Sequence, residues 1–204
     1  MSLYRRRLPH IYQTDQPVFL TWRLYGSLPG GRAFRGGTLS SGEAFAALDR
    51  LLDEGRCGPV YLQRPELADM VVEAIHFNGE TLGQYSLHAF VVMPNHVHLL
   101  ITPKVPLPKI TKSLKGITAS RANAMLGFAE KPFLQEESYD HEVRREGGFE
   151  RIRAYIENNP VRAGLVRDSK DYRWSSAGWG DRGSPAHRGS ALPVMVKERI
   201  SVDE

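Results

Sequence analysis

Two histidines one residue apart, His96 and His98, follow the apolar run 85–93 (YSLHAFVVM) and a Pro94-Asn95 pair. On a β-strand, positions i and i+2 face the same side, so both imidazoles project together while Val97 turns to the core. Two rings so placed can chelate one divalent ion. They can equally be satisfied by backbone groups, and spacing alone leaves both readings standing. No acid occurs between residues 81 and 129, so the two histidines are the only obvious ligands in their part of the chain. A zinc site is the weaker expectation, because Cys57 is the only cysteine and His10, His76, His88, His141 and His187 show no paired spacing. A second pattern lies in the run 149–159 (FERIRAYIENN), where Tyr155 and Asn159 stand four apart. On a helix these share a face, so a phenol and an amide oxygen can meet one ion or one phosphate. Asn159 precedes Pro160, which leaves its direction open, with Asn158 as the substitute ligand. Taken alone, the same pair reads as a half-buried tyrosine and a helix C-terminal asparagine.

The elements that must hold these groups are legible in the flanking pattern. Residues 17–25 (PVFLTWRLY) read as a strand, and Pro29, Gly30, Gly31 and Gly36 mark a turn-rich loop after it. Ser40 or Ser41 opens a helix with Phe45, Leu48, Leu51 and Leu52 at helical spacing. Pro65 suits the first turn of a second helix bearing Leu67, Met70, Val71, Ala74 and Ile75 on one face. Two apolar runs, 85–93 and 96–102, joined by Pro94-Asn95 predict an antiparallel hairpin at the centre of a sheet. Residues 106–127 are expected to be helical, with Lys112, Lys115 and Arg121 on the polar face. The helix 149–159 is expected to stop at Pro160. This order predicts an α+β fold, an antiparallel sheet with helices mainly on one face.

The chain has 204 residues and a formal net charge of +4. That length suits one domain, read as 1–177 with a flexible tail over 178–204. No leading apolar run or stretch of about 20 apolar residues occurs, so neither a signal peptide nor a membrane span is expected. A lone cysteine excludes an intramolecular disulfide and fits a cytoplasmic protein. Charge is unevenly spread: Asp15 is the only acid before residue 43, against Arg5, Arg6, Arg7, Arg23, Arg32 and Arg35. Such segregation can build one positive face for a polyanion.

Several runs together resemble the single-tyrosine HUH transposases, in the branch known as REP-associated tyrosine transposases. They are HAFVVMPNHVHLLITP (88–103), SLKGITASRAN (113–123), SYDHEVRREGGFERIRAYIENNPVRAGLV (138–166) and YRWSSA (172–177), with FLTWRLYGSLP (19–29) resembling the first strand. The resemblance spans roughly residues 8–177. It implies a ferredoxin-like or RNA-recognition-like βαββαβ core with the histidine pair on a central strand. It implies that His96 and His98 bind a divalent metal, Mg²⁺ or Mn²⁺, with Asn159 as third ligand, and that Tyr155 is the nucleophile. Related proteins bind hairpins from repetitive extragenic palindromes and cut beside them. Single-stranded hairpin DNA is therefore the implied partner and a 5′-phosphotyrosine the implied intermediate, in a monomer or a homodimer. Arg5, Arg6, Arg7, Lys112, Lys115 and Arg121 are the candidate phosphate contacts. His141 receives no assigned role. Two other readings fit the same residues: a domesticated hairpin-binding protein with little catalysis, and a metal phosphoesterase in which water attacks.

Overall fold

A computed structural model describes residues 14–28, 41–54, 58–128, 131–143 and 146–178. Its frame is a four-stranded antiparallel sheet in the order β2-β3-β1-β4, with β1 at Val18–Arg23, β2 at Tyr85–Val92, β3 at His96–Pro103 and β4 at Tyr139–Glu142. The helices are α1 at Ser41–Asp53, α2 at Pro65–His76, α3 at Leu107–Leu126 and α4 at Glu146–Arg162. This is the α+β, ferredoxin-like arrangement, with the histidine pair on a central strand. Arg5, Arg6 and Arg7, expected as phosphate contacts, and residues 179–204, expected as part of a tail, lie outside the described residues.

Strand alternation divides the sheet's residues between two cores. Val18, Leu20 and Trp22 of β1 share one face with Phe90 and Val92 of β2 and with Val97, Leu99 and Ile101 of β3. The paired helices α2 and α3 close this side through Leu67, Val71, Ile75, Ile110 and Leu114, all buried. On α3 the buried stripe runs Leu107, Ile110, Leu114, Thr118 and Ala122, a helical repeat that leaves Lys112 exposed. The opposite face carries Phe19, Ala89, Val91 and Leu100, covered by Ile152 and Ile156 of α4 and flanked by Phe45 of α1. Pairing of Thr21 with His98 and Arg23 with His96 sets both histidines on this second face. A one-residue slip would exchange the two cores, so burial on both sides fixes the register that aims the imidazoles.

Two details depart from the sequence reading: helices cover both faces of the sheet rather than mainly one, α2 and α3 on the first and α4 on the second, and α4 runs past its expected stop. Pro160 lies inside α4, which runs on to Arg162. A proline removes one backbone donor, and near the last turn that loss is tolerable because the end is otherwise well closed. Gly164, at φ 71°, gives Leu165 N–H to Pro160 O and its own N–H to Val161 O, a paired C-terminal cap that needs the left-handed region. The YRWSSA run packs along the edge of β2: Trp174 O accepts from Val92 N–H, and Tyr172 Oη donates to Val92 O. Its indole also donates to Asp69 Oδ1 at 2.8 Å, tying the segment to α2. Trp174 is thereby a packing residue.

Candidate metal and nucleophile site

His96 and His98 are fully buried, and both are oriented through their Nδ1 atoms. His96 Nδ1 lies 2.7 Å from Asn95 Oδ1, while Asn95 Nδ2 donates to Leu52 O at 2.9 Å. The second bond fixes the amide so that its oxygen faces the ring, which puts the proton on Nδ1 and leaves a lone pair at Nε2. His98 Nδ1 is 2.7 Å from Thr21 Oγ1, its partner across the β1–β3 ladder. Asn159 Nδ2 approaches His98 Nε2 at 3.4 Å. His96 therefore presents an unprotonated Nε2 inward, and His98 turns its Nε2 toward Asp49. Burial and the neighbouring His98 push the His96 pKa down to about 3, against an opposing pull from Asp49. At neutral pH His96 is the neutral, ligating form.

Sequence reading left the histidines as the only obvious ligands, and here the structure corrects it. Helix α1 brings a carboxylate, Asp49, to 3.1 Å from His98 Nε2 and 3.6 Å from His96 Nε2. One ligand atom from each of Asp49, His96 and His98 falls within a 4.8 Å group, and all three side chains are buried. Spacing along α1 places Phe45, Asp49 and Asp53 on one face, and Asp53 Oδ1 stands 3.8 Å from His96 Nε2. An acid pair at i, i+4 in line with Phe45 was the available signal. It was overlooked because Phe45, Leu48, Leu51 and Leu52 alone account for an amphipathic helix.

Helix α4 delivers the remaining groups. Tyr155 Oη donates to Asp49 Oδ2, and Asn159 Nδ2 reaches the same oxygen at 3.3 Å. Tyr155 and Asn159 thus share a face as their spacing predicts, and Asn159 is buried despite the proline after it. Asn158 instead bonds back to Ala154 O and is exposed, so it is turned from the site. The Tyr155 ring is boxed by Phe19, Phe45 and His98 at centroid distances of 6.0–6.4 Å.

The charges are coupled. Burial alone would raise the Asp49 pKa. The neighbouring imidazoles, His98 and then His96, together with the Tyr155 hydroxyl hold it well below the usual carboxylate range. Burial, then the charge of Asp49, pushes Asp53 up to about 7. Burial, the Asp49 charge and the bond to Asp49 likewise raise the Tyr155 phenol above its ordinary value. Buried Asp49 Oδ1, His96 Nε2 and Asn159 Oδ1 satisfy no hydrogen bond. Three lone-pair atoms without donors, gathered around one carboxylate, are costly for a protein alone and fit a divalent cation.

Of the candidate phosphate contacts, Lys112 is exposed, on the helix that lies against the opposite face of the sheet. Lys115 is a strut, donating to Gln135 O at 2.7 Å and to Glu136 O and Ser138 Oγ. Arg121 pairs with Glu73 at 3.4 Å. His141 is exposed, opposite Phe19 in the β1–β4 register.

Asn95, read from sequence only as a turn residue, emerges as the group that orients His96. Asn95→Ala is expected to cost about 1–3 kcal/mol, since buried Leu52 O loses its donor. It should also weaken divalent-metal affinity roughly 10–100-fold by freeing the ring. Urea unfolding and metal titration of the same variant check both.

Comparisons with known proteins bear on the family and on the fold. The family model described as "Transposase IS200 like" matches residues 64–159. A REP-associated tyrosine transposase solved bound to a REP hairpin aligns at 18% identity and a TM-score of 0.52, covering 86% of this chain and 82% of that one. A structure from Deinococcus radiodurans described as a transposase aligns more loosely, at 19% identity and a TM-score of 0.41, covering 75% of this chain and 97% of that one. No curated protein matches in sequence. Among the described residues no helix is long and apolar enough to cross a membrane. The stretch that matches the IS200-like transposase model, residues 64–159, carries His96, His98, Tyr155 and Asn159.

Proposed function

We propose that this protein is a metal-dependent transposase that cleaves and rejoins single-stranded DNA beside hairpins through a 5′-phosphotyrosine. The observation that carries the reading is the convergence of the Tyr155 hydroxyl with two inward-facing imidazoles on a single buried carboxylate, Asp49. His96, His98 and Asp49, with Asn159 beside them, would hold Mg²⁺ or Mn²⁺. Such an ion supplies charge neutralisation and orientation for a phosphodiester.

The chain's own residues account for the rest. Tyr155 is a poor nucleophile as it stands, because burial and the charge of Asp49 keep its phenol protonated. Its hydrogen points at Asp49 Oδ2, and the proton given up on attack balances the one taken by the leaving oxygen. Attack of Tyr155 Oη on phosphorus forms the phosphotyrosine bond and breaks the bond to the 3′-oxygen, which leaves as a hydroxyl once protonated. The new ester conserves the diester's free energy, so a second 3′-hydroxyl can reverse the step and join strands without a nucleotide cofactor. The ring box of Phe19, Phe45 and His98 holds the phenol against rotation, a requirement for in-line attack. The hairpin partner and the phosphate contacts at Lys112, Lys115, Arg121, Arg5, Arg6 and Arg7 belong to this proposal. Lys112 is the most available of the described three, since the other two have protein partners.

The test is covalent capture. Purified protein mixed with labelled single-stranded hairpins and Mn²⁺ or Mg²⁺ is expected to give a protein–DNA adduct stable to denaturing electrophoresis. EDTA should abolish it. Cut DNA without an adduct overturns the tyrosine reading in favour of attack by water. Binding with neither cut nor adduct, across a panel of hairpins, favours the domesticated binding protein.

A further inference from the structure

Arg162 occupies a position that the site as described leaves unexplained. It lies seven residues after Tyr155 on α4, two helical turns along the same face. Its guanidinium carbon sits 4.6 Å from the centroid of the Tyr155 ring, and one nitrogen is 3.9 Å from Asp53 Oδ2. Asp53 is nearly buried, with its side chain 9% exposed, whereas that of Arg162 is 41% exposed. The guanidinium therefore spans from the buried acids beneath to the mouth of the site above. Its ion pair with Asp53 is loose and a second contact goes to the Tyr155 hydroxyl, so among the described residues part of its five-donor fork remains available.

Electrostatics gives that placement a purpose. A phosphodiester approaching Tyr155 brings a negative charge toward Asp49 and Asp53, both within reach of His96. Among the described residues, Arg162 is the cation laid against the nucleophile. A planar guanidinium suits two oxygens of one phosphate better than an ammonium does.

We propose that Arg162 is the phosphate-positioning group of this site, held over the Tyr155 ring and tethered from α1 by Asp53, so that two non-bridging oxygens of the scissile phosphate are gripped in line with Tyr155 Oη. The inference rests on the strand-transfer reading above and adds to it a residue, a ligand class and an orientation. No bond to Arg162 forms or breaks. Its charge offsets the negative charge that builds on the phosphoryl oxygens during attack, while the proton and the leaving 3′-oxygen follow the course already given.

The experiment uses the full chain and the hairpin that wild type captures best, comparing wild type, Arg162→Ala and Arg162→Lys. Single-turnover adduct formation at saturating DNA and equilibrium binding by anisotropy are read separately. Arg162→Ala is expected to slow adduct formation by about 10²-fold, with binding changed only a few-fold, because the grip matters most as charge develops. Arg162→Lys should recover only part of the rate, and millimolar guanidinium should restore Arg162→Ala but not wild type. Rescue by a free cation is a readout that a merely structural role would not give. Equal rates in wild type and Arg162→Ala overturn the inference alone. So does a slow Arg162→Ala that guanidinium leaves slow while its thermal stability matches wild type. If Arg162→Ala unfolds, Arg162→Lys decides: a rate equal to wild type overturns the bidentate grip. No adduct from wild type on any hairpin overturns the strand-transfer reading and this inference with it.

Discussion

Tyr155→Phe is expected to eliminate covalent capture of DNA while leaving the fold and hairpin binding in place. The phenyl ring keeps the edge contacts with Phe19, Phe45 and His98, so the aromatic box loses nothing in shape. Only the hydroxyl is removed, and with it one bond to Asp49, which retains Asn159 as a neighbour. Losing one hydrogen bond to a charged acceptor costs about 1.5–3 kcal/mol, a shift that urea denaturation resolves and the domain tolerates. Adduct formation should fall by at least about 10³-fold, because no other group in the site supplies the attacking oxygen. The variant also separates the competing chemistries. If it still cuts DNA at the wild-type rate, water was the nucleophile and Tyr155 an aromatic wall. If it binds hairpins as wild type does but neither cuts nor couples, the hydroxyl is the reacting group. A further expectation follows from burial and the Asp49 charge, which hold the Tyr155 phenol above its ordinary pKa. Metal-free wild type at neutral pH should therefore show no phenolate absorbance from this residue.

Most of this site was written in strand and helix periodicity. His96 and His98 face one way because strand side chains alternate, and Tyr155 meets Asn159 because helices repeat every 3.6 residues. Both relations are local and survive without knowledge of the fold. The hairpin, the α3 helix and the antiparallel class followed from apolar runs and turn residues for the same reason. What escaped was non-local. Asp49 lies 47 positions before His96 in the chain, on a helix whose apolar spacing explained itself without reference to acids. Nothing in α1 alone says that its Asp49–Asp53 side, rather than its leucines, is aimed at the nucleophile. Lys115 and Arg121 show the same limit from the other side. Their cationic spacing on α3 reads as a polyanion surface, yet carbonyls of residues 135–136 and the carboxylate of Glu73 take up those charges. A cation's sequence context shows its face on the helix but not which partner the fold brings to it. Pro160 was misjudged on a local rule, because a proline near a helix's last turn forfeits little when a glycine closes the end.

Asp49→Asn gives the second large effect, and it discriminates between two ligand sets. If His96, His98 and Asn159 alone hold the ion, the substitution should hardly alter metal affinity. If Asp49 contributes, affinity should drop by roughly 10²-fold or more, since the only charged ligand is lost. The isosteric amide is well suited to the metal-free pocket. Its oxygen can accept from Tyr155 as the carboxylate does, and its nitrogen can donate to the inward Nε2 atoms of the imidazoles. Metal-free stability is therefore expected to stay within about 1 kcal/mol of wild type. Linkage then makes the contrast measurable without DNA or turnover. At a free Mn²⁺ concentration 100 times the wild-type dissociation constant, binding stabilises the native state by about 2.7 kcal/mol. The same concentration stabilises a variant with 100-fold weaker affinity by only about 0.4 kcal/mol. The Mn²⁺-induced rise in melting temperature should thus nearly vanish in Asp49→Asn while its metal-free melting point holds. Equal rises in the two proteins would remove Asp49 from the ligand set and return the third position to Asn159, whose amide would then have to turn its buried, unpartnered Oδ1 toward the imidazoles. His98→Ala should abolish the rise in either case, because both ligand sets contain that ring.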